Sequence, residues 1–412
     1  MRYSPRPENR KERAISRLSI ISSTLILASV LAACGGGAGE RESAGAGLPE
    51  ISEEMRTEYE GWLEENSEEP EDYISGLFRD HRAVLLGEFH RIRHDLIFVQ
   101  KLMPRLYREG VRFLATEFAR RRDQALVDSL LCSPEWNEQL GREVIFRQFM
   151  PWGFREYVDI LKTAWHLNRD RPAGEEPFRI IALNHTLDFS HFRTPKDWDN
   201  TRIWKLVRGN QTEKDWAEAV LKVLNSGEKV LVHCGINHAF TGYRQPKVKG
   251  GEFAGWGVKR LGNYLREAVG EEAVTVFLHA PWNSSGGYGA DYTYPADGMI
   301  DAFMLGAPEG SRSAGFDTAG SPFDKVPIKN AVYMHGYDSF TISDFCDGWI
   351  YTRPLSRYRP VTYIEDWISE ENLERARENA MNPNWRSYST EQLNRACMSY
   401  LEDFERFFAG LR

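Results

Sequence analysis

Short apolar runs separated by helix-length amphipathic stretches restrict the fold of this chain most strongly, and two of the runs end alike. Ala83 to Gly87 leads into Gly87-Glu88-Phe89-His90, and Lys229 to His233 leads into Gly235-Ile236-Asn237-His238. A third run, Phe113-Leu114-Ala115-Thr116, leads into Glu117. Strands that alternate with helices imply parallel pairing through right-handed crossovers. A parallel sheet collects its strand C-termini on one edge, where ligands bind, so the three polar endings are expected on one rim.

Apolar spacing predicts helices over 51–66, 96–108, 119–131, 154–168, 213–225 and 258–267, and strands over 83–87, 112–116, 178–183, 229–233 and 274–278. The expected architecture is a three-layer α/β sandwich with a mainly parallel sheet, one domain running from residue 51 to 412. Residues 280–324 break the pattern. They are rich in Gly, Pro and Tyr, as in Trp282-Asn283-Ser284-Ser285-Gly286-Gly287-Tyr288, and long aperiodic segments of this kind serve as covers over binding sites.

The first residues speak of address. Arg2, Arg6, Arg10, Lys11, Arg13 and Arg17 precede an apolar stretch from Leu18 to Ala33, which is short for a membrane span. It ends in Leu31-Ala32-Ala33-Cys34-Gly35 and resembles the lipobox of bacterial lipoprotein precursors. That resemblance implies removal of residues 1–33, lipidation of Cys34, and attachment to the cell envelope, at the outer membrane where there is one. Residues 34–50, mostly Gly, Ala, Ser and Glu, read as a flexible tether. Losing residues 1–33 removes six basic and two acidic residues and moves the formal charge from −8 to −12. So acidic a protein is a poor partner for nucleic acid, and the lipid is its expected membrane contact. Of the four remaining cysteines, Cys346 and Cys397 are the expected disulfide, and Cys234 is expected as a free buried thiol.

Glycine lets the backbone turn away from the sheet at each motif. His94 follows His90 by one helical turn, but His90-Arg91-Ile92-Arg93-His94 lacks the Glu of a zincin helix. At the second motif His233 precedes the turn and His238 follows it, with Asn237 placed to donate a hydrogen bond. His185 also follows a strand and is a further candidate.

Val84-Leu85-Leu86-Gly87-Glu88-Phe89-His90, Leu114-Ala115-Thr116-Glu117 and Val232-His233-Cys234-Gly235-Ile236-Asn237-His238 resemble the motifs of the superfamily that joins Tiki-type metalloproteases, ChaN-type haem-binding lipoproteins and erythromycin-esterase-like hydrolases. The Tiki resemblance implies a metal held by His90, Glu117 and His238. The esterase resemblance implies that Glu88 and His90 serve the attack of water, although Arg91-Ile92 stands where those esterases continue with Thr-His-Gly.

Three functions follow as alternatives. In a hydrolase of ester, amide or peptide bonds, His90 is the base, Glu88 or Glu117 orients it, and His238 with Asn237 stabilises the developing charge; a divalent metal on His90, Glu117 and His238 is the metal-assisted version. In a haem carrier without turnover, Tyr243 is the candidate iron ligand. In an inactive scaffold, Glu88 and Glu117 are tied to Arg91, Arg93 or Arg120 through Arg122. The partner is thus a small molecule, a peptide or haem.

Overall fold

The computed structural model describes residues 47–288, 291–306 and 313–409. The predicted signal segment, Cys34 and most of the tether lie outside the described residues.

Seven strands form the central sheet: β1 (Ala83–Glu88), β2 (Phe113–Arg120), β3 (Arg179–Asn184), β4 (Val230–Gly235), β5 (Ala273–Leu278), β6 (Ala314–Asp317) and β7 (Gly348–Tyr351). Their order is β6-β7-β5-β1-β4-β2-β3. All neighbours pair in parallel except β6, which runs antiparallel to β7 at the edge. β1 and β4 lie side by side with Gly87 opposite Cys234 and Glu88 opposite Gly235, so the two Gly-x-x-His motifs leave the sheet together.

The period of two along a strand places alternate side chains on opposite faces, and both faces are buried. Val84 and Leu86 of β1 pack into one apolar layer with Leu96, Val99, Leu102 and Tyr157. Ala83 and Leu85 pack into the other with Trp216, Val220, Leu261 and Leu265. The helices over the first face include Arg93–Arg108, Glu138–Gln148 and Arg155–Arg169; those over the second include Glu53–Asn66, Glu213–Asn225 and Leu261–Val269. This is the expected three-layer sandwich.

Three local expectations are corrected. The helix expected from Ala119 begins at Gln124, because β2 continues to Arg120 through a register shift against β3 between Thr116 and Arg120. Such an irregularity re-aims side chains, and Glu117 lies within it. Cys346 and Cys397 are free buried thiols; they belong to the apolar layers on opposite faces of the sheet, where no disulfide geometry is available. The described part of residues 280–324 is not aperiodic: it holds a short antiparallel strand pair, the helix Met299–Gly306 and strand β6.

Candidate active site at the rim

Glycine in the two motifs makes room for the opposite motif. A Cβ on Gly87 would lie 2.5 Å from Ile236 Cδ1, and a Cβ on Gly235 would lie 2.7 Å from His90 Cε1 and 2.9 Å from His90 Nε2. His90 therefore sits over the bare α-carbon of Gly235. After His90 the chain takes a left-handed turn at Arg91, φ 75°, a conformation that costs energy in a residue with a side chain. The turn is held by the Arg91 N–H, which donates to Tyr157 Oη at 3.0 Å, by Val361 N–H donating to Arg91 O at 3.0 Å, and by Arg91 Nη1 donating to Tyr400 O at 2.5 Å.

Glu88 is 1 % exposed and accepts three hydrogens. His90 Nδ1 lies 2.8 Å and Tyr157 Oη 2.7 Å from Oε1, and His233 Nε2 lies 2.7 Å from Oε2. Burial pushes this carboxyl up, but His233 and His90 outweigh burial by charge and hydrogen bond and hold it at about 2. An ionised carboxylate only accepts, so the neutral His90 ring carries its proton on Nδ1 and leaves Nε2 as a base.

The second histidine repeats the arrangement with different parts. His238 Nδ1 lies 2.9 Å from Glu213 Oε2, while Glu213 Oε1 accepts from Arg260 Nη1 at 2.8 Å. Glu213 Oε2 also accepts from the Leu261 N–H at 3.0 Å. Burial pushes Glu213 up, and His238 and Arg260 overcome it to hold the carboxyl well below the usual range. Burial pushes His238 down, and Glu213 and Glu117 overcome it, so its imidazole titrates above the ordinary 6.5.

Both Nε2 atoms turn toward Glu117. Its Oε1 is 3.9 Å from His90 Nε2 and 3.6 Å from His238 Nε2, and its Oε2 accepts from the Gly235 N–H at 2.8 Å. Glu117, His90 and His238 line a cavity of about 430 Å³. Phe118, Phe149, Trp152, Trp204 and Trp216 give it aromatic walls, and Lys205, Arg208 and Lys259 add positive charge. The outer wall comes from the segment 184–213 and from 258–264; no described residue of 280–324 lines it.

Of the other predicted site residues, His185 lines the cavity, with Nε2 placed to donate to Thr212 O at 3.0 Å, and burial lowers its pKa. His233 lies behind Glu88, fully buried. Asn237 does not face the cavity: its Oδ1 accepts from Gln245 Nε2 at 2.7 Å. His94 is sent elsewhere by the Arg91 turn and opens the helix Arg93–Arg108. Tyr243 does not line the cavity; it is buried and donates to Tyr333 O at 2.7 Å. Of the arginines expected to neutralise Glu88 and Glu117, Arg93 pairs with Glu156, Arg120 with Asp123 and Arg121 with Asp215.

The fit to a metal is poor. Among the described residues no group of three or more His, Cys, Asp and Glu side chains could hold an ion, and one oxygen of Glu117 already accepts the Gly235 N–H.

No sequence motif marks Tyr157, Glu213 or Arg260 as site residues. Tyr157 lies in a helical apolar stripe and reads as core, and Glu213 reads as the charged first residue of an ordinary helix. Neither has a spacing that ties it to a motif.

No protein-family model matches the chain, and no curated protein matches it. A succinoglycan biosynthesis protein of known structure is similar over 76 % of this chain and 99 % of its own, at 11 % identity and a TM-score of 0.50; that likeness is one of fold. Similar structures also include a mutant of the erythromycin esterase EreC in its open conformation (10 % identity, 68 % of this chain and 92 % of that one, TM-score 0.43) and ChaN of Campylobacter jejuni, described with cofacial haem binding (14 %, 51 % and 86 %, TM-score 0.32). Likenesses this distant fix neither a site nor an activity.

Proposed function

We propose that this chain hydrolyses an ester, amide or peptide bond by direct attack of water, with His90 as the base. The observation that carries the reading is the convergence of two carboxylate-held histidines on Glu117 at the wall of one cavity. Water between His90 Nε2 and Glu117 Oε1 gives one proton to His90 as its oxygen adds to the carbonyl carbon. The oxyanion that forms is stabilised by the Nε2–H of His238 in its charged form, which Glu213 and Glu117 favour. His90 then returns its proton to the leaving oxygen or nitrogen, and the carbon–heteroatom bond breaks. Neither Ser nor Cys is among the described residues that line the cavity, which favours water over a covalent acyl-enzyme. The aromatic walls with Lys205, Arg208 and Lys259 favour a substrate that is apolar and carries an acidic group. With Cys34 lipidated, this chemistry takes place at the cell envelope.

The test is turnover of a panel of aryl esters, lactones, amides and peptides by wild type, His90→Gln and Glu117→Gln. Turnover that disappears in His90→Gln supports the reading; turnover that survives it overturns it. A Soret band on adding haem, lost in His90→Ala, with no turnover of the panel, would assign a carrier instead.

A further inference from the structure

A second cavity, of about 310 Å³, lies where the first turns of the helix Arg93–Arg108 meet the residues that follow β7. Arg93, Lys101, Arg353 and Arg359 line it, with Glu71 as the one acidic wall residue. The chain as a whole carries a formal charge of −8, so so basic a hollow is unlike its surface at large. Arg93 Nε is 2.9 Å from Glu156, and Arg359 Nη1 donates to Tyr358 O at 2.9 Å. Lys101 and Arg353 have no ion-pair partner among the described residues. The Arg93 N–H donates to Arg359 O at 3.0 Å and pins the two walls together.

One buried polar side chain lines the cavity. His94, 7 % exposed, lines the cavity, and its Nε2 has no hydrogen-bond partner; the nearest acceptor, Asp95 Oδ1, is 3.5 Å away. Behind it, outside the lining, Asp95 is 2 % exposed and its Oδ2 is unpartnered. Burial, aided by Arg353 and His279, pushes His94 down to about 2, and burial with Glu88 pushes Asp95 far up. Both shifts favour the uncharged forms, and the cations set the sign of the cavity. Against the four cations stand Glu71 and the Glu156 paired with Arg93, an excess of two positive charges.

We propose that this cavity binds a phosphate dianion, either free or as the head of a phosphomonoester. Guanidinium groups match phosphate oxygens in geometry, the charge excess matches a dianion, and an uncapped helix start adds its own positive end. His94, which lines the cavity with an unpartnered Nε2, supplies a hydrogen-bonding group without a charge that repels the anion. The site shares no lining residue with the His90 cavity, and the proposal stands apart from the hydrolase reading.

The test is calorimetric titration of the full chain at fixed ionic strength with inorganic phosphate, phenyl phosphate and acetate, repeated on Arg353→Ala, Lys101→Ala and a control, Arg142→Ala. Both lining residues are exposed, and unchanged melting temperatures show that the variants fold. Saturable phosphate binding, weakened about tenfold or more by Arg353→Ala and not by Arg142→Ala, is expected for loss of a charge-assisted contact. Tighter binding of phenyl phosphate assigns a monoester; equal binding assigns the free ion. No saturable binding at millimolar phosphate, acetate binding as tightly, or equal losses in Arg353→Ala and Arg142→Ala overturns the proposal.

Discussion

The two halves of the rim solve the same problem with different charges. At β1 the carboxylate that orients His90 sits two residues before it and is surrounded by donors without permanent charge: Tyr157, His233 and His90 itself. At β4 the carboxylate that orients His238 comes from the start of another helix and shares a permanent cation, Arg260. Both leave Nε2 facing Glu117, yet Glu213 and Glu117 together drive His238 toward its charged form. In the proposed mechanism one motif presents a base and its copy a stabilising cation, a division set by neighbours and not by the motif.

The sharpest way to break this comparison is to remove each histidine. His90→Gln is expected to lower kcat by about 10²- to 10⁴-fold, the usual worth of a general base. His238→Gln should lower kcat by less and leave the acid side of the pH profile in place. Equal losses with identical pH profiles would show that the halves are not differentiated.

Gly235→Ala comes next. Its Cβ would meet the His90 ring at 2.7 Å, so the ring must move while the backbone stays. Activity should fall by about 10- to 10²-fold through loss of alignment, with little change in melting temperature. A large loss of stability instead would mean that this glycine serves the fold and not the site.

Glu213→Gln sharpens the electrostatic half. A group whose pKa is raised in the folded state loses its charge as pH climbs past that raised value. Removing the anion that raises it moves the alkaline limb of kcat to lower pH. An unmoved limb would detach that limb from His238.

Glu88→Gln probes the other carboxylate through stability. Glu88 is held at about 2 against an ordinary 4.5, so its contribution is full above 4.5 and drains as pH falls toward 2. Wild type should lose stability over that window more steeply than the variant, followed by thermal melts. At neutral pH the variant should be about 1–3 kcal/mol less stable, the cost of a disturbed buried hydrogen-bonding group. Tyr157→Phe is expected to have the smallest effect, about 0.5–1.5 kcal/mol.

The contrast between the halves also explains what was legible in the sequence. Glu88 and His90 are local to one motif, and parallel topology brings His238 and Glu117 to the same edge, so these four could be read from strand endings alone. Glu213, Arg260 and Tyr157 reach the site through helix packing over distances that no spacing records. Tyr157 was further hidden because one side of its ring belongs to the core. Asn237 and His94 were read as site residues from proximity in sequence, which a left-handed turn at Arg91 and a neighbouring Gln245 undo. The layer order was open to the period of apolar residues. The edge strand β6 was not, because its four residues sit in a segment with a loop-like composition.

The central claim is that His90 and His238 hold opposite protonation roles at one cavity, and long-range ¹H–¹⁵N spectra of the imidazole rings test it most directly. With the assignment made by His90→Gln and His238→Gln, neutral His90 is expected to carry its proton on Nδ1, and His238 is expected to remain doubly protonated at pH 6.5 and to titrate above it. His90 protonated on Nε2 when neutral, or His238 uncharged at that pH, would contradict the account.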